Sequence, residues 1–216
     1  MSLSQIGAAT AFALITAMLL VGPFVPALLE WLRPTDTGPL VVAREYDGDI
    51  RHFARTFERI CRDGAGPALA QVQSEGRNDM LATLGRDTFR LLGEPKAWTA
   101  TLAAGTQSAE GVISATDLDL PGELTFEREV LAYGRLGVGP RAVLRAAMAI
   151  GDLDLGEGST VLRWADAGGR LWLADQARVL GRATAGTAIR LGAGVEFQRM
   201  HAPQFVVGEA PPALGR

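Results

Sequence analysis

From Leu118 to about Val207 apolar and polar positions alternate in short runs, and the runs repeat. Leu136, Leu155, Leu173 and Leu191 recur at intervals of about 18 residues, and internal periods of this size mark stacked coils. Each interval divides into three hexads. Leu155, Val161 and Ala167 open those of one rung, and Leu173, Val179 and Ala185 those of the next. The fifth hexad positions, Ser159, Ala165, Leu171, Ala177, Ala183 and Ile189, are small or apolar, so alternation along a strand turns both sets inward. Upstream, LDLPGELTFEREVLAYGR from Leu118 keeps the same length. The pattern predicts an all-β solenoid with about 18 residues per coil and three short faces. A meander or sandwich would alternate in the same way, but it has no reason to hold its leucines in register over four coils. The recurring GVGP and GEGS segments read as coil corners, where glycine supplies positive φ or lack of bulk.

The other strong pattern is at the front. Ile6 to Leu29 contains no charged residue, and at 1.5 Å per residue such a stretch spans a hydrocarbon core of about 30 Å. It predicts a transmembrane helix over 6–32 after a short tail, 1–5, with Trp31 at the interface. Pro23 and Pro26 kink or end the helix in its last third. A cleaved signal peptide fits less well, because MSLSQ lacks a basic n-region and the apolar run is too long. Arg33 and Arg44 follow the span and nothing basic precedes it except the amino terminus. The positive-inside bias therefore predicts a single-pass inner-membrane protein with its C-terminal part in the cytoplasm.

Between anchor and solenoid lies a connector, 33–110. It opens with a turn-rich break, Thr35 to Pro39, and then shows Ile50, Phe53, Phe57 and Ile60 at helical spacing. This predicts an amphipathic helix near 50–62, capped by Asp47 or Asp49, whose stripe packs on the protein or lies on the bilayer. His52 reads as a solvated histidine. Residues 63–110 predict loose packing with a short helix around Asp79 to Leu92. The solenoid domain is set at 111–207 and a disordered tail at 208–216.

Composition narrows the function. The chain is 48% hydrophobic and 21% charged, with a net charge of −3, so it folds and offers no strongly basic field for nucleic acid. Cys61 is the only cysteine, which excludes an internal disulfide, and its apolar setting predicts a buried structural thiol. No Walker loop, dinucleotide fingerprint, paired cysteines or HExxH motif is present, and no cofactor is expected.

Counted from the leading leucines, two series point outward. One reads Glu127, Arg145, Trp164, Arg182, Met200, and the other Arg135, Asp154, Trp172, Arg190. With coils about 4.8 Å apart, Trp164 is expected between Arg145 and Arg182, and Trp172 between Asp154 and Arg190. Exposed Trp and Arg are common interface anchors, so Arg145, Trp164, Trp172, Arg182 and Arg190 form a candidate lateral docking strip. A self-contained cation–π ladder is the competing reading, and a connector folded back over the tryptophans would cover them.

The run of rungs, with GDLDLGEGSTV and LGAGVEFQRMHAP, resembles the bactofilins, polymer-forming bacterial cytoskeletal proteins, over Leu118 to about Val207. The resemblance implies a right-handed β-helix, nucleotide-free end-to-end polymerisation, frequent membrane association and scaffolding of cell-wall or exopolysaccharide machinery. By position it implies assembly contacts at Leu118, Leu124 and Phe126 on one end, and at Phe197, Phe205 and Val207 on the other. The partners it implies are further copies of the chain, the inner membrane and an envelope or polysaccharide-synthesis enzyme. The long connector and apolar segment depart from the small soluble members. Hexads such as LGEGST are also similar to the left-handed β-helix of hexapeptide-repeat acyltransferases, whose base is a histidine. Here His201 alone lies in the solenoid, at a position expected to point inward. A membrane-tethered adaptor that does not polymerise is the third reading.

Overall fold

The computed structural model of the chain describes residues 3–32, 49–75 and 79–208 and divides it into two units, Met1–Asp47 and Gly48–Arg216. In the first unit, helix α1 (Leu3–Val21) is followed by a 3₁₀ turn at Gly22–Phe24 and helix α2 (Val25–Leu32). The helix expected over 6–32 is two helices parted at the expected proline break, and the first begins inside the expected tail. Pro23 sits at the start of the 3₁₀ turn, where its missing N–H interrupts the α-helical ladder. Among the described residues no helix is long and apolar enough to cross a membrane. Ile6 lies in α1, and Leu29 and Trp31 lie in α2 with both side chains exposed. Arg33, Arg44, the 35–39 break and Asp47 lie outside the described residues, as do 209–216.

The second unit is mostly β, a parallel solenoid of about seven coils of roughly 18 residues. Its elements are α3 (His52–Ser74), β1 (Asp79–Leu84), β2 (Asp87–Leu92), α4 (Pro95–Thr99), β3 (Gln107–Ser108), β4 (Gly111–Ser114), β5 (Leu118–Leu120), β6 (Thr125–Ala132), β7 (Leu136–Val138), β8 (Val143–Ala149), β9 (Leu153–Leu155), β10 (Thr160–Ala167), β11 (Leu171–Leu173), β12 (Arg178–Ala185), β13 (Ala188–Leu191), β14 (Glu196–His201) and β15 (Gln204–Val207). The long strands form one sheet in the order β1-β2-β4-β6-β8-β10-β12-β14, with β3 beside β6, and the short strands form the other, β5-β7-β9-β11-β13-β15. The β6–β8, β8–β10 and β12–β14 pairings each shift register part-way, as between Val161 and Trp164 on β10 against β8, while β10 and β12 stay in step. A bulge bends a strand, so the larger sheet turns a corner and the three hexad faces are carried by two hydrogen-bonded sheets.

All twelve hexad positions expected inward are buried, at 2% exposure or less. The core combines large with small: leucines of the short-strand sheet share one cluster with alanines of the long strands, such as Ala147, Ala165 and Ala183, the complementarity that close packing requires. The leucine column, however, is two columns. Leu136 stacks between Leu118 and Leu153, whereas Leu155 stacks between Val138 and Leu173. The coil from Leu136 is short by one residue, and the 136-to-155 spacing steps from one column into the next. The corners fall where expected: Glu123, Arg141, Gly158, Gln176 and Gly194 all take positive φ, one per coil on the same corner, and only Gly does so without strain.

The connector is well packed, against expectation. Asp79–Leu92 is a β-hairpin turning at Gly85 (φ 66°), not a helix, because β2 finds a distant parallel partner in β4. Helix α3 extends to Ser74, well past residue 62. Its buried stripe is Ala54, Cys61, Ala65, Leu69 and Val72, while Phe53 and Ile60 of the expected stripe are more than half exposed. His52 is exposed, as expected.

Candidate functional site: the open end and the covered flank

The two ends of the solenoid are built differently. At the N-terminal end α4 packs on β5, and Trp98 lies against Phe126 with ring centroids 6.5 Å apart. Leu118, Leu124 and Phe126 are therefore buried, at 0%, 1% and 2% exposure. The assembly contacts expected there are interior residues. The outermost strand β1 runs antiparallel to β2 and so does not offer the parallel register of a coil. At the C-terminal end β14 and β15 are the last strands of their sheets. Phe197, Phe205 and Val207 are 46%, 48% and 72% exposed, and the outer backbone edge of a terminal strand is a template for another strand. His201 is exposed on β14, contrary to the inward position expected of it.

The outer row of the long-strand sheet decides what covers the flank. Val130 and Ala132 point inward while Leu131 between them points out, and the same register gives Ile113, Leu131, Met148, Asp166, Thr184 and His201 as one outward row. The first three are apolar and fully buried under α3, together with Phe89 and Leu91. Asp166 is 1% exposed. Arg51 donates to it from Nε at 2.8 Å and from Nη2 at 2.6 Å, and the Thr184 hydroxyl donates to the same carboxylate. The hydrogen bond it donates to Asp166 raises the Arg51 pKa despite the opposing effect of burial. A bidentate pair of this kind fixes both orientation and register, and it pins the N-terminus of α3 to the solenoid. Asp49, expected as a cap, accepts from the Arg51 N–H at 2.9 Å. Arg51 and Asp166 escaped sequence reasoning, although apolar residues at outward positions in three successive rungs signal a covered face.

The lateral strip is split by this cover. Trp164 pairs with Arg182 on one side but with Ala146, not Arg145, on the other; the one-residue shift in β8 moves Arg145 out of line, and it pairs with Glu129 at 3.3 Å. Trp164 packs on Phe57 of α3, centroids 5.7 Å apart, and the Arg182 guanidinium stands 4.9 Å over the Phe53 ring. The folded-back connector thus covers this half of the strip. Trp172 does lie between Asp154 and Arg190, on the short-strand sheet, but it is only 8% exposed.

Cys61 is buried, and burial first, then Glu129 and Glu58, push its thiol up to about 12, the setting of an inert structural thiol. No group of three or more His, Cys, Asp or Glu among the described residues could hold a metal ion. Comparison with family models, curated proteins and solved structures returns no match.

Proposed function

We propose that the chain is a non-enzymatic, bactofilin-like scaffold, with a right-handed coil, that is held at the bacterial inner membrane by its N-terminal apolar helices and self-associates through the open C-terminal coil. The observation that carries this reading is the asymmetry of the ends. Three large apolar side chains are exposed on two unpaired strand edges at one end, while the equivalent residues at the other are buried. Association through a single self-complementary end closes on itself as a pair, so the unit is a tail-to-tail dimer, and filament growth requires displacement of the N-terminal cap.

Membrane attachment draws support from the first unit. Phe12, Met18, Leu19 and Trp31 are each more than 70% exposed, and α1 carries no charged side chain. An apolar surface of this extent calls for lipid or a protein partner. Arg33 and Arg44, which follow the apolar segment in the sequence, support a cytoplasmic C-terminal unit through the positive-inside bias, and an envelope or polysaccharide-synthesis enzyme is the partner class for such a scaffold.

Sedimentation of the full chain in detergent across a concentration range tests the assembly. A monomer–dimer equilibrium abolished by Phe197→Arg with Phe205→Asp is expected; a wild-type monomer at every concentration would overturn it. Alkaline extraction of cell membranes tests the anchor, with the chain expected to stay in the pellet and to be released when residues 3–32 are deleted.

A further inference from the structure

The flank left uncovered by α3 carries a cleft of about 470 Å³, within the size range of ordinary small-molecule sites. Its floor is the outward row of the short strands, Asp119, Gly137, Asp154, Trp172 and Arg190, one from each of β5, β7, β9, β11 and β13. Gly137 opens it: a Cβ there would collide with the Asp119 carboxylate and crowd the Arg135 guanidinium. Through that gap Arg135 reaches both carboxylates, donating to Asp119 at 2.6 Å and to Asp154 at 3.0 Å. On the wall, Arg170 pairs with Asp152 at 2.6 Å.

Arg135 is thus shared by two of the cleft's three carboxylates and Arg170 holds the third, which leaves one of its three arginines outside these pairs. Among the described residues Arg190 has no carboxylate partner, and its Nε–H, like the indole N–H of neighbouring Trp172, is buried without an acceptor. Trp172 is more than nine-tenths buried. Buried donors left unpaired are rare and costly, and two on adjacent strands of one cleft mark where acceptor oxygens belong.

We infer that this cleft binds an acidic saccharide, its carboxylate on Arg190 and Trp172 and its hydroxyls on the carboxylates of Asp154 and Asp152. The polarity comes from the row: an anion is attracted to the Arg190 end, while the Asp end accepts from hydroxyl donors and disfavours a second negative charge. Two strand spacings, roughly 10 Å, separate the ends, which suits one or two rings lying across the strands.

The full chain in detergent, titrated with a glucuronate-containing disaccharide, a neutral glucose disaccharide and inorganic phosphate, tests this by calorimetry and by the indole N–H resonance missing from Trp172→Phe. The acidic disaccharide is expected to bind and shift that resonance, Arg190→Met to weaken binding at least tenfold, and the neutral disaccharide to bind at least tenfold more weakly. Equal binding of both disaccharides would overturn the carboxylate contact, phosphate binding as tightly as the acidic sugar would overturn the saccharide, and no binding to the wild-type chain would overturn the site.

Discussion

At the N-terminal end of the solenoid Phe126 is buried beneath Trp98 and α4; at the C-terminal end Phe197 stands in an equivalent coil position and is nearly half exposed. The two residues sit in matching columns, since Phe126 pairs with Leu144, Leu144 with Val161, Val161 with Val179, and Val179 with Phe197. Their difference is made entirely by the segments that flank their coils. A stacked coil is stable only where a neighbour covers its apolar layer, so under the proposed association the end that carries no cap among the described residues is the one that takes its cover from another molecule.

Paired substitution breaks the comparison most sharply. Phe126→Arg places an unpaired charge in the core and is expected to unfold the N-terminal coils, a loss of more than about 4 kcal/mol. Phe197→Arg is expected to change stability by less than about 0.5 kcal/mol while removing association. Urea denaturation and sedimentation of both variants read the two effects; similar destabilisation by both would dissolve the distinction between the ends.

Next in size is the pin of α3. Asp166→Ala strips the partner from Arg51, whose side chain is 22% exposed, so part of the charge is rehydrated and a cost of about 2 kcal/mol is expected, below the 3–5 of a fully buried pair. Arg51→Met in the same background should recover part of it. Unchanged denaturant midpoints would show that the helix is held by its apolar stripe alone.

The pH dependence is smaller per unit of pH and runs in two directions. The Cys61 thiol is raised in the folded chain from an ordinary 9.0 to about 12. Below pH 9 both states hold the proton and its contribution is fully present; between 9 and 12 only the unfolded chain ionises, so stability falls by up to about 1.4 kcal/mol per pH unit. Cys61→Ala should flatten that alkaline limb. Asp152 is the opposite case. Burial raises its pKa, but the hydrogen bonds and charge of Arg170 outweigh this and hold it below its ordinary 3.8. Its contribution is present above that value and lost as pH falls. The pair is solvent-exposed, so Asp152→Asn should cost under about 1 kcal/mol, visible as a reduced slope of the acid limb.

Much of the solenoid was legible because its rules are local. Inward positions such as Val161 and Ala165 follow from alternation, and corners such as Gly158 from backbone freedom. The misreadings have a common cause in pairing between residues far apart. Leu136 joins Leu153 and not Leu155 because one coil is shorter, a shift visible only when the strands are laid side by side. Met80, Leu81 and Leu84 suit a helix until β2 pairs with β4. Of the candidate site, Phe197, Phe205 and Val207 stand exposed at the end where the resemblance put them, whereas Phe126 is interior because α4, which nothing in its own coil announces, covers it.

The sequence by itself determined that this chain stacks coils of about 18 residues, which residues fill them, and that an apolar segment precedes them, because hydrophobic period and turn chemistry act over neighbouring residues. Only the tertiary structure decided which end and which flank are free. That depends on α3 and α4 folding back onto distant strands, where the Arg51–Asp166 pair and the Trp98–Phe126 contact form between residues with no local relation.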